Sequence, residues 1–154
     1  MPSPFRLDFV LAPSRRKAAR ITLALGGGVF LGEREMALSR AYLDTMLRCL
    51  TEINLLYLQA HPDTPRIERS GVIYREEPPG QEDWQDIPTS LKMGIADCED
   101  LACWRAAELI FFEKVRARAV SRAFKRPDGG VLYHIVVERE DGAVEDPSKI
   151  RGMG

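Results

Sequence analysis

The stretch Gly94-Ile95-Ala96-Asp97-Cys98-Glu99-Asp100-Leu101-Ala102 constrains this chain more than any other. Asp97 is a strong N-cap, and Asp100, three residues on, can return the bond as in a capping box. Behind it Leu101, Ala102, Trp104, Ala106, Leu109, Ile110 and Phe112 supply an apolar helix that can lie buried. Cys98 falls in the first turn of that helix. Unpaired N–H groups and the positive end of the helix dipole there favour thiolate over thiol. A lone cysteine at a helix start is most often a small apolar packer. The last third of the chain argues for more.

His134 lies in Leu132-Tyr133-His134-Ile135-Val136-Val137, a β-branched run with strand character. Asp146 follows in Val144-Glu145-Asp146-Pro147-Ser148, across an Asp141-Gly142 turn signal. A Cys on a helix start, a His on one strand and an Asp on the next can form a nucleophile–base–orienter chain.

These contexts resemble the transglutaminase-like cysteine peptidase superfamily, and most nearly its small members carried by bacteriophages and prophages. The resemblance covers roughly residues 84–150. It implies an α+β fold with a papain-like core, in which a cysteine-bearing helix packs on an antiparallel sheet. It also implies the roles of nucleophile for Cys98, base for His134 and orienter for Asp146. Where such motifs often read Gly-x-Gly-Asp-Cys, this chain has Gly94-Ile95-Ala96-Asp97-Cys98. With eight residues after Asp146, a minimal version of the fold is expected.

A chain of 154 residues suits one domain with a real core. The 45% hydrophobic and 29% charged content is that of an ordinary globular protein, and a net charge of −1 gives no global drive toward nucleic acid. The three cysteines lack disulfide-framework spacing, which fits a reducing compartment. Arg6 and Asp8 interrupt any signal-peptide core, so synthesis in the cytoplasm is expected, with virion association in a phage setting. No run approaches a membrane span.

Residues 1–32 read as a strand-like arm carrying five basic residues to one acidic, whose charges can discourage unwanted edge pairing or, as the alternative, meet nucleic acid or an acidic partner surface. Gly26-Gly27-Gly28 lacks the Lys-Ser/Thr of a phosphate loop. Residues 33–61 predict one long amphipathic helix through Met36, Tyr42, Leu43, Met46, Leu47, Leu50, Ile53, Leu56 and Tyr57, ended by Pro62. Cys49 reads as a core packer in that helix and His61 as its surface end. Residues 66–77 suggest a strand, and residues 82–88 an acidic, turn-rich loop leading to the cysteine. Within that loop Trp84 and Gln85 are candidate oxyanion donors beside the Cys98 backbone N–H. Residues 114–126 predict a strand with small residues inward, followed by a hairpin turn at Pro127-Asp128-Gly129-Gly130. With two histidines and no Cys-x-x-Cys or His-x-x-x-His pair, the sequence selects no metal site, and the chemistry calls for no cofactor.

The expected activity is thiol-dependent hydrolysis of a protein or peptide amide, a peptidoglycan peptide included. An amine in place of water would make it a transamidation. A virion structural or assembly protein that keeps the fold is the alternative, with other virion proteins or a second copy of the chain as partners.

Overall fold

A computed structural model describes the backbone of residues 5–14, 17–25, 33–78, 82–125, 127–129 and 131–154, and the side chains of 8–12, 40–78, 82–125, 127–129 and 132–154. Strands β1 (Phe5–Ser14) and β2 (Lys17–Leu25) form an antiparallel hairpin whose register shifts between Leu11 and Ser14, at the Ala12-Pro13-Ser14 break. Helix α1 (Glu33–Ala60) fills the interval that the apolar spacing predicts. A single turn of 3-10 helix at Ile67–Arg69 leads to β3 (Ile73–Tyr74). Then come β4 (Asp83–Gln85), α2 (Ile87–Met93), β5 (Ile95–Ala96) and α3 (Cys98–Phe111). The chain closes with β6 (Ala117–Lys125), β7 (Val131–Arg139), β8 (Val144–Glu145) and a short α4 (Pro147–Ile150).

The architecture is α+β. Strands β6, β7 and β8 are antiparallel and in sequence order, while β1 lies between antiparallel β2 and parallel β4, and β3 pairs in parallel with β5. Helix α3 is the centre of the molecule. One core joins its Ala102, Cys103, Ala106 and Leu109 to Leu47 and Leu50 of α1 and to Ala119, Ile135 and Val137 of the β6–β7 sheet. A second core gathers Leu101, Trp104 and Ala107 of α3 with Leu58, Ile67, Val72 and Ile87. Both faces of α3 are covered, which is why its apolar residues are not confined to one stripe.

Several sequence expectations are corrected. Cys49 is exposed, not a core packer. Among the described residues the buried positions of α1 are Leu47, Leu50, Thr51, Asn54 and Leu58, and a residue two places from Leu47 is turned to the far side of a 3.6-residue helix. For the same reason Tyr42 and Leu56 lie outside the buried face. The strand expected over 66–77 is cut to two residues, because Ser70-Gly71 breaks it: Gly71 has φ +75° and Ser70 Oγ accepts the Val72 N–H. Residues 82–88 are not a loop. They form β4 and begin α2, where Asp86 caps the Thr89 N–H at 3.1 Å, Pro88 sits in the first turn, and Gly94 (φ +72°) ends the helix in a left-handed conformation. The basic side chains Arg15, Arg16, Lys17 and Arg20 and the Gly26-Gly27-Gly28 joint lie outside what the structure describes.

The register of α1 has a direct test by chemical denaturation. Leu58→Ala should cost about 2–5 kcal/mol of stability. Leu56→Ala, at an exposed position, should change it by no more than about 0.5 kcal/mol. Equal losses would mean that the buried face has been misplaced.

Candidate active site

Three carboxylates build the turn that presents Cys98. Asp97 is the N-cap of α3 and Asp100 completes the capping box, its Oδ2 accepting the Asp97 N–H at 3.1 Å. Asp100 is almost wholly buried, and its Oδ1 accepts the Gln85 N–H at 2.7 Å, so the same side chain fixes β4 to the cysteine turn. Asp97 Oδ2 accepts the Glu77 N–H at 3.2 Å, and the Glu77 carboxylate takes the Asp83 N–H at 3.0 and 2.9 Å. Segments too short for long β-ladders are thus joined by carboxylate-to-amide bonds.

The Cys98 thiol is half-buried between α3 and β7. The backbone N–H of Ile135, the residue after His134, lies near its sulfur without a hydrogen bond of good geometry, and the thiol hydrogen is directed to Glu99 Oε2 at 3.3 Å. Burial raises the thiol well above its ordinary value, and the charges of Glu99 and Asp97 raise it further against the Ile135 N–H. Against the expectation that the helix start favours thiolate, burial first and then the acidic residues beside the sulfur favour the neutral thiol over what the helix dipole offers.

His134 Nε2 and Asp146 Oδ2 are 2.8 Å apart, with side chains 16% and 19% exposed. Asp146 is not on the third strand but just beyond it, as the N-cap of α4, its Oδ1 accepting the Lys149 N–H at 3.4 Å. With the carboxylate on Nε2, the neutral ring carries its hydrogen there and leaves Nδ1 as an acceptor. The structure thus pairs the proposed base and orienter directly. It seats Cys98 against the backbone beside the base, and no hydrogen bond joins Cys98 to His134 among the described residues.

The oxyanion candidates fare differently. The Cys98 N–H is already bonded to Asp97 Oδ1 at 2.6 Å and is not a free donor. Trp84 is buried edge-on against Phe9, ring centroids 5.7 Å apart, and its indole N–H lies beside Glu82 without a hydrogen bond of good geometry. Gln85 engages Asp100 through its backbone, and its side-chain oxygen is buried and unpartnered.

Sequence reasoning missed the acidic wall around the thiol. Burial raises Glu99 and Asp100 well above the carboxylate range and brings Glu77 to about 7. Burial, with the charges of Asp97 and Cys98, also raises Tyr74, which borders the same turn. Among the described residues, the groups that could hold a cation share Glu99: Asp97 with Cys98 and Glu99, and Glu77 with Glu82 and Glu99, each set with ligand atoms within 4.8 Å of one another. Asp97 and Glu99 flank the cysteine and were open to inspection. Glu77 and Glu82 arrive only through the fold.

No family model, curated protein or solved structure matches the chain.

The acidic wall sets a pH dependence of stability. A carboxyl raised in the folded state binds protons that the unfolded chain has released, so stability is fully present below the unfolded value and falls as pH rises through the folded one. For Glu77, and for Glu108, which burial also raises to about 7, that window runs from 4.5 to about 7. The denaturation midpoint should be lower at about pH 8 than at about pH 5. A midpoint that holds or rises across this interval would contradict the assignment.

Proposed function

We propose that the protein is a thiol-dependent amide hydrolase in which Cys98 is the nucleophile, His134 the general base and Asp146 the orienter. The observation that carries the reading is the 2.8 Å contact between His134 Nε2 and Asp146, which among the described residues leaves Nδ1 unengaged, on the residue next to the Ile135 amide that lies near the Cys98 sulfur. His134 Nδ1 takes the thiol proton as sulfur attacks the amide carbonyl. The tetrahedral intermediate collapses to a thioester, and the imidazolium returns its proton to the leaving amine. Water, activated by the same ring, then releases the acid. Because the resting thiol is neutral, proton transfer accompanies attack, as in serine hydrolases, and no standing thiolate–imidazolium pair precedes it. Asp146 holds the ring and stabilises its charged form.

The fold reading that goes with this is the papain-like one, supported by a cysteine at the start of a buried helix and by three antiparallel strands behind it. The substrate class is a protein or peptide amide. In the bacteriophage setting that the sequence resemblance implies, virion proteins and peptidoglycan peptides are the candidates. The neutral thiol, bonded to Glu99 and not to His134, favours one second reading: an assembly protein that keeps the fold after its chemistry has lapsed.

An activated ester separates the two. The native protein should form an acyl thioester on Cys98, mapped by peptide mass, and then release it. Cys98→Ala should abolish this turnover, and His134→Ala should slow it by about 100-fold or more. Exposure alone would select Cys49. Acylation confined to Cys49 would support the assembly reading.

A further inference from the structure

We propose that Arg105 is a positioning residue for the His134–Asp146 pair, acting through Glu145. The proposal rests on the hydrolase reading and adds to it the device that keeps the orienting carboxylate in place. Strand β8 pairs with β7 at only two positions, Val137 with Glu145 and Glu138 with Val144. Asp146 is the next residue, with φ −119° and ψ 88°, past the last ladder pair. Sheet bonding therefore stops one residue short of the group that must hold the imidazole. On its far side Asp146 is held by two long bonds, Oδ1 accepting the Lys149 N–H and its carbonyl the Ile150 N–H, each at 3.4 Å.

The missing anchor is on Glu145. Arg105 Nε reaches Glu145 Oε2 at 2.6 Å and Arg105 Nη2 reaches Oε1 at 3.4 Å, while Arg139 Nη1 meets Oε1 at 3.2 Å. Burial alone would raise the Glu145 carboxyl, yet Arg105 and Arg139 draw it below its ordinary value. The Arg105 and Glu145 side chains are 17% and 21% exposed, so salt screens this pair far less than one on the open surface. Arg105 itself has no room to swing. Its Nη1 is held by Glu113 at 2.8 Å and by Glu108 at 3.4 Å, and the buried Glu108 is fixed in turn by the Ile67 N–H at 2.7 Å.

The placement along α3 gives the clamp its use. Arg105 follows Cys98 by seven residues, two turns, which brings both side chains to the same face of the helix. One end of that face holds the sulfur against β7, and the other holds the residue before Asp146. A rigid helix thus sets the distance between the nucleophile and the base–orienter pair. A guanidinium suits the task because its planar fork grips Glu145 while a third nitrogen stays with Glu113 and Glu108; an ammonium would keep the charge and lose the fork.

The test reads the imidazole directly. With two histidines in the chain, His61→Gln assigns both ring signals in a nitrogen-edited NMR spectrum. In the native protein neutral His134 should be a single tautomer with its hydrogen on Nε2. Arg105→Gln and Glu145→Gln, which keeps the shape of the side chain, should each convert it to a tautomer mixture and slow Cys98 acylation by about tenfold or more, the scale expected for a displaced orienting group. Arg105→Lys should fall between. A thermal melt confirms that each variant is folded, and should Arg105→Gln unfold, Glu145→Gln and Arg105→Lys decide. An unchanged His134 tautomer in folded variants overturns the proposal. If the tautomer responds but native Cys98 is no more reactive than in His134→Ala, the hydrolase reading fails while the linkage from Arg105 to Asp146 stands.

Discussion

Asp100 is the joint on which the site depends. A carboxylate almost removed from water is costly unless its oxygens are bonded, and here each takes a backbone amide from a different segment. One bond closes the cap of α3. The other holds β4, and through β4 the parallel strand β1 with Phe9 against Trp84. Asp97 extends the pattern to Glu77, and Glu77 to Asp83. Strands of two and three residues cannot register themselves by ladder bonds alone. Side-chain carboxylates acting on backbone amides supply the missing registration, and the cysteine turn is where they converge.

That solution has an electrostatic consequence. A helix start offers about half a positive charge to whatever stands there. In this turn the capping groups are themselves acidic, and Glu99 adds a third carboxylate beside the sulfur. Architecture and nucleophile make opposite demands on the same few ångströms. Architecture prevails in the resting structure, leaving a neutral thiol that donates its hydrogen bond to Glu99. A nucleophile so placed depends on a base that acts at the moment of attack, which makes the orientation of His134 more important than it would be beside a preformed thiolate.

Much of this was legible in the residues. The capping box, the buried helix behind it, the β6–β7 pairing and the closeness of His134 to Asp146 follow from short-range rules: cap chemistry, apolar spacing and turn signals. What was not legible is of another kind. Glu77 and Glu82 come within reach of Glu99 only through the pairing of β3 with β5 and of β4 with β1, which no local pattern announces. Helix α2 carried its signature in Asp86-Ile87-Pro88, but a cluster of acidic and turn-forming residues reads equally well as a loop. Cys49 was misassigned by adjacency to Leu50, when helical phase, not sequence proximity, decides which side chain is inward. The thiol failed in a third way. Its position was right, and burial there, joined by the acidic residues around it, opposes the effect of that position.

The most direct measurement is the rate of Cys98 alkylation by iodoacetamide as a function of pH, followed by peptide mass on the native protein and on His134→Ala. The account expects no plateau on the acidic side of neutrality, since the thiol is raised, and a rate near neutral pH that drops when His134 is removed while that of exposed Cys49 does not move. Identical Cys98 profiles in the two proteins would contradict the account, because the imidazole would then have no part in the chemistry of the thiol.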